Sequence, residues 1–136
     1  MPAGAAQGMV EPMNLADEKY VSLTTFKKDG TPVSTPVWVA GEDGRLLVWT
    51  AAGSWKVKRI RRDAHVRVTP CTAGGKLRGE PVEADAAIVP ETALVEQLLA
   101  RKYGLTYRAV RAFNALLRTL RRRPAEPSVT LEIRPR

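Results

Sequence analysis

"YVSLTTFKKDGTPVSTPVWV", Tyr20 to Val39, is the stretch that decides the fold. Tyr20 to Phe26 is rich in β-branched and aromatic residues, which suit a pleated surface, and it predicts a strand. Asp29-Gly30 follows; both residues tolerate positive φ, so the dipeptide signals a tight hairpin. Val33, Thr35, Val37 and Val39 then alternate with Ser34, Pro36 and Trp38, the period of a second strand. Pro36 has no N–H to place in a ladder, so an interrupted or open edge is expected there. Such an edge leaves neighbouring backbone groups available to a ligand.

The rest of the chain extends this pattern. Glu42-Asp43-Gly44 makes a second turn, and Leu46 to Thr50 reads as a third strand. Ala51 to Gly53 breaks it, and Ser54 to Arg62 makes a short helix with Val57 and Ile60 facing inward. Val66, Val68 and Pro70 alternate with Arg67, Thr69 and Cys71 in a fourth strand. After Gly74-Gly75, Val82, Ala84, Ala86 and Ile88 alternate with Glu83, Asp85 and Ala87 in a fifth, with one wet face. Pro90 opens a helical stretch to about Tyr103, Gly104 interrupts it, and a second helix runs from about Leu105 to Arg122. Pro124 and Pro127 end that helix, and Ser128 to Arg134 predicts a last strand returning to the sheet. Six strands with hairpin signals and helices to one side imply a mainly β chain: a small six-stranded antiparallel barrel with flanking helices. The organisation read from this is a flexible lead-in over 1–13, then one domain over 14–136. That domain carries a helical insertion at 90–123 before the closing strand 128–134.

Composition narrows the function classes. The chain has 136 residues and a formal net charge of +8, which implies polyanionic company: nucleic acid, an anionic membrane or a phosphorylated small molecule. Cys71 and His65 are the only residues of their types, so no disulfide forms within one chain and no zinc spacing exists. A cytoplasmic setting is expected. The Ala-, Gly- and Pro-rich start lacks the basic and apolar regions of a signal peptide. His65 and Cys71 lie on one strand face but six positions apart, too far along it to act as base and nucleophile. The carboxylates are scattered, with no pair suited to hydrolysis. Side-chain chemistry is therefore poorly supported, and an enzyme built from this chain would take its reactive atoms from a cofactor.

One segment stands out electrostatically: "SWKVKRIRR", Ser54 to Arg62. A helix N-terminus carries partial positive charge and normally attracts acids, yet here only cations follow Ser54. Either the helix simply faces solvent or an anion belongs at its start. Ser54 as a cap, free backbone N–H groups and Lys56 in the first turn together suit a phosphate. Trp38, Trp49 and Trp55 offer walls for a flat ring, with core packing as the alternative fate.

With these features assembled, "VSLTTFKKDGTPVSTPVWV", "DGRLLVWT" and "SWKVKRIRR" resemble the flavin/deazaflavin oxidoreductases of the pyridoxamine 5'-phosphate oxidase-like split-barrel superfamily. The nearest branch is the actinobacterial one dependent on coenzyme F420. The resemblance spans about Tyr20 to Val89, and the strand Val129 to Ile133 also fits. It implies a six-stranded split β-barrel, a homodimer, and two cofactors in grooves at the subunit interface. It further implies that Thr35, Pro36, Val37 and Trp38 contact the deazaflavin or flavin ring and that Trp49 and Thr50 continue the groove. Ser54 and Lys56 would hold the phosphate, with Trp55 between them, Arg59 near and Arg61 a weaker candidate. Lys58, Arg59 and Arg62 would meet the oligoglutamate tail of F420. The implied activity is F420H2-dependent reduction of an electron-poor small molecule such as a quinone or enone; the alternatives are an FMN- or heme-binding member. Departures are Trp55, where relatives often carry Gly or Arg, and Asp63-Ala64, where they often read Asn-Pro.

The Leu105 to Arg122 helix is not part of that minimal barrel. Its apolar set is Leu105, Ala109, Val110, Ala112, Phe113, Leu116, Leu117 and Leu120, opposite Arg108, Arg111, Arg118, Arg121 and Arg122. The expectation is that Phe113, Leu116, Leu117 and Leu120 pack on the barrel while the arginines are solvated. The alternative is peripheral contact of 105–123 with an anionic membrane. Nucleic acid is not expected, because this helix lacks aromatic base-stacking platforms.

Overall fold

The computed structural model describes residues 15–121 and 127–136. The expected lead-in over 1–13 and the end of the helical insertion lie outside the described residues. In chain order the elements are β1 (Tyr20–Phe26), β2 (Pro32–Val37), β3 (Ala40–Glu42), β4 (Arg45–Ala51), α1 (Trp55–Arg62), β5 (His65–Cys71), β6 (Val82–Val89), α2 (Thr92–Tyr103), α3 (Leu105–Arg121) and β7 (Ser128–Pro135).

Among the described residues seven strands, not six, form one antiparallel sheet in the order β2-β1-β5-β6-β7-β4-β3. The extra strand arises because the segment read as one strand from Val33 to Val39 divides. Its first part pairs with β1, whereas Ala40–Glu42 pairs with β4. The division has a topological consequence. β2 and β3 stand at opposite edges of the sheet, yet only Trp38 and Val39 separate them. The sheet must therefore curl until its edges approach, which is the split half-barrel. Pro36 opposes Ser22 on β2, an edge strand, so its missing N–H costs no ladder bond.

Turn chemistry sets the registers. Gly30 takes φ 88° after Lys28-Asp29, and the Asp29 carboxylate accepts from Thr31 N at 2.9 Å. Asp43 and Gly44, at φ 50° and 76°, make the β3–β4 turn. The barrel core holds Val21, Leu23, Val39, Leu46, Val48, Val66, Val68, Leu131 and Ile133, together with Val57 and Ile60 from α1.

β4 is buried on both faces, which explains why "LLVW" shows no clear alternation. Leu46 and Val48 face the barrel, while Leu47 and Trp49 join a second cluster beneath α2 and α3 with Val95, Leu99 and Tyr107. The end of α2 is tied down by two side chains. The Tyr103 hydroxyl accepts from Val39 N at 3.2 Å and donates to Lys19 O at 2.6 Å. Lys102 Nζ donates to Glu18 O at 2.7 Å, to Val39 O at 2.6 Å and to Ala16 O. A further anchor is Arg45, which binds Glu42, Glu91 and Glu132 at 2.7, 2.5 and 2.7 Å.

The long helix departs from expectation. Phe113, Leu116 and Leu120 do not pack on the barrel; they are 59%, 53% and 69% exposed. Among the described residues Tyr107 is the α3 residue buried in the second cluster, and Arg111 lies over Trp49, 5.4 Å from its ring centroid. The helix therefore docks through the Tyr107–Arg111 side of its surface, opposite the side that amphipathic periodicity selects. The physical reason is that α2 and the tryptophans already cover the outer face of β4.

A candidate anion and cofactor site on the first helix

Ser54 starts α1 in extended conformation (φ −69°, ψ 155°), and its Oγ accepts from Val57 N at 3.4 Å. No acid occupies the first turn, as the sequence indicated. Val57 and Ile60 are buried one turn apart, against a barrel side made by β1 and β6. That orientation turns Lys58, Arg59 and Arg62 toward the β1–β2 hairpin. Asp63 ends the helix, its N–H donating to Arg59 O at 2.9 Å.

Between α1 and the β1–β2 turn lies a groove of about 600 Å³, lined by Lys27, Lys28, Trp55, Lys58, Arg59 and Arg62. Five of these six side chains are cationic and none is acidic. The Trp55 indole is 68% exposed, and Lys58 Nζ sits 4.4 Å above its ring centroid. Arg59 Nε donates to Thr25 Oγ1 at 2.7 Å, and the Arg62 guanidinium donates to Phe26 O. These bonds fix two guanidinium groups at the groove wall. Like charges held together in this way repel, and a bound polyanion relieves that repulsion.

Lys56 stands outside this lining. It is half-buried, and burial, with the nearby Arg59 charge as a second cause, holds its ammonium below the ordinary lysine range. Among the described residues no carboxylate lies within salt-bridge distance of it. An anion beside Lys56 would oppose both effects. Arg61 is exposed and likewise outside the groove lining.

The remaining candidates divide between two places. Thr35, Pro36 and Val37 are half-buried on the β2 edge. Val37 is paired with Val21 at the end of β2 away from the turn. Trp38 and Trp49 come together around Tyr107, each with its ring centroid 6.2 Å from that of Tyr107, and Trp38 also stacks on Tyr103 at 4.5 Å. Thr50, half-buried, pairs with Val129. Trp55 belongs to neither group and stands alone on the surface. Trp49 Nε1 is buried without a hydrogen-bond partner among the described residues.

His65 and Cys71 occupy opposite ends of β5, so the geometry makes no base–nucleophile pair of them. His65 Nε2 lies 2.6 Å from Glu83 Oε1, and the ring stacks on Phe26 at 4.9 Å. Burial, aided by Glu18, pushes the Cys71 thiol up. Among the described residues no cluster of His, Cys, Asp or Glu could hold a metal, and no helix is long and apolar enough to cross a membrane.

The family model for pyridoxamine 5'-phosphate oxidase matches residues 12–136, nearly the whole chain. The chain belongs to the pyridoxamine 5'-phosphate oxidase family. Solved structures agree on the fold. An F420 reductase is similar at 21% identity and TM-score 0.56, with 90% of each chain covered. A conserved hypothetical protein from Mycobacterium tuberculosis is similar at 24% identity and TM-score 0.62, over 96% of this chain and 84% of that one. The heme storage protein HutZ from Vibrio cholerae is similar at 11% identity and TM-score 0.62, over 90% of this chain and 84% of that one. A search of curated proteins finds no significant match.

For this member of the family, sequence reasoning missed Lys27 and Lys28. The pair was visible before Asp29-Gly30, but nothing local says that this hairpin tip faces α1. The signal lay in the hairpin register combined with the burial of Val57 and Ile60, which together aim the basic side of α1 at the turn.

Proposed function

We propose that this chain is a coenzyme F420-dependent oxidoreductase, passing a hydride between the reduced deazaflavin and an electron-poor small molecule such as a quinone or enone. The observation that carries the reading is the acid-free groove of Lys27, Lys28, Lys58, Arg59 and Arg62 beside an exposed indole. A cofactor with one phosphate, such as FMN, needs two or three donors. A phosphate followed by an oligoglutamate tail needs a longer run of cations, and this groove supplies it.

On this reading Ser54, the first-turn N–H groups of α1 and Lys56 hold the phosphate. Arg59, fixed by Thr25, stands between phosphate and tail. Lys58, Arg62, Lys27 and Lys28 receive the tail carboxylates. On the open β2 edge the Pro36 carbonyl points away from β1 and is available to the ring, flanked by Thr35 and Val37. Thr35 lies five residues from Gly30 at the hairpin tip, about 17 Å at strand rise, a span within reach of an extended cofactor. The deazaflavin, when bound, supplies the hydride. The protein's own work is orientation and exclusion of water. The family membership and the F420 reductase of similar fold support a redox role; the heme storage protein of the same fold is the reason the cofactor must be tested directly.

The assay is titration of purified chain with F420, FMN and hemin, followed by fluorescence or absorbance, with Lys56→Ala and Arg59→Ala alongside wild type. Tight binding of F420, weaker binding of FMN, and a loss of about tenfold in each variant with unchanged thermal stability are expected. Unchanged F420 affinity in both variants overturns the assignment. In this reading the chain works as a homodimer whose partner completes the ring pocket, which sedimentation of the holo form checks.

A further inference from the structure

α3 presents its apolar side to the outside. Leu105, Val110, Phe113, Leu116 and Leu120 are 80%, 40%, 59%, 53% and 69% exposed. At 3.6 residues per turn these five fall within an arc of roughly 140°. Tyr107 is buried on the other side, and Arg111 there bonds Glu96 at 3.1 Å and the Tyr107 hydroxyl at 3.0 Å. A single exposed leucine is ordinary, but a continuous apolar row along a helix marks a contact surface.

The charges around the row identify what covers it. From Leu105 to Arg121 the sequence contains four arginines and no acid, and it continues with Arg122 and Arg123. Arg108 and Arg118 are exposed. A second copy apposed through this helix would set these cations against their own images, with no carboxylate on the helix to answer them. A bilayer of acidic phospholipid answers both halves of the pattern. Its acyl boundary takes the apolar row and its phosphates take the arginines. No described helix can span a bilayer, so the geometry is that of a helix lying in the surface.

We propose that α3 docks this protein peripherally on anionic membrane, with Phe113, Leu116 and Leu120 inserted and the flanking arginines on the headgroups. This inference does not depend on which cofactor the barrel binds.

The test is flotation of the full chain with vesicles of equal parts phosphatidylglycerol and phosphatidylcholine, against vesicles of phosphatidylcholine alone. The protein is expected to float with the first and not with the second, and to release progressively as salt rises. Phe113→Asp with Leu116→Asp, at exposed positions that leave folding intact, should raise the lipid needed for half-binding about tenfold or more. Equilibrium sedimentation of the same proteins runs in parallel. Failure of the wild type to float overturns the proposal. So does a wild-type dimer that the double variant splits, since a second copy would then cover the face.

Discussion

Removing two of the groove cations tests the site most sharply. Lys58 and Arg62 line the groove on the exposed side of α1; Lys58 lies over Trp55 and Arg62 bonds the Phe26 carbonyl. Lys58→Ala and Arg62→Ala should therefore leave folding unchanged. Both side chains are exposed, so the dielectric that screens them is close to that of water. A unit charge about 4 Å from a carboxylate in water is worth about 1 kcal/mol. That corresponds to about fivefold in affinity for each variant and about 25-fold for the pair, if they act independently. The assay is quenching of F420 fluorescence at low ionic strength, with FMN as the ligand that lacks a tail. Arg108→Ala, outside the groove, controls for net charge. The expected pattern is a loss for F420 only, absent in the control. It should shrink as salt approaches 1 M, where the screening length falls to about 3 Å. Equal losses for F420 and FMN, or an equal loss in the Arg108 variant, would refute the tail-binding role of the groove.

Three further outcomes concern the scaffold. Leu131, fully buried on central strand β7, should cost about 3–5 kcal/mol as Leu131→Ala in urea unfolding, while the exposed Leu116→Ala should change stability by less than about 0.5 kcal/mol; similar costs would mean that the α3 row packs on the barrel after all. Tyr103→Phe keeps the stack on Trp38 but leaves Val39 N–H without its partner, a loss of about 1–3 kcal/mol, and full retention of stability would show that water satisfies that group. Glu91 is held below the usual carboxyl range by Arg45, and Glu132 by Arg134 and then Arg45. Because their folded-state values are depressed, their contribution is complete above the ordinary glutamate value of about 4.5 and is lost as pH falls through the folded values. The urea midpoint should therefore hold from pH 7 to 5 and drop below that, with a shallower drop in Glu132→Gln.

Much of this was legible in the chain because it is local. The Asp29-Gly30 turn, the β-branched content of β1, the alternation in β5 and β6, the Ser54 cap and the buried pair Val57 and Ile60 depend on neighbours a few residues away, and each is where the residues placed it. The absence of acid in the first turn of α1 was equally plain. Two readings failed for one reason. Val33 to Val39 looked like a single strand because alternation is blind to partners. Only the sheet order reveals that the chain changes edges at Trp38. Periodicity likewise found the apolar row of α3 but said nothing of which side docks.

Local pattern thus specified which segments become strands and helices, where the turns fall, and that a dense positive charge follows Ser54. Tertiary packing alone decided that the hairpin lysines join that charge across a groove, that Trp38 and Trp49 gather around Tyr107, and that the leucines of α3 face outward. The division follows from range. Turn, cap and pleat preferences are energies of adjacent residues, whereas a groove or a docked helix face is set by surfaces that the chain brings together only when the sheet curls and closes.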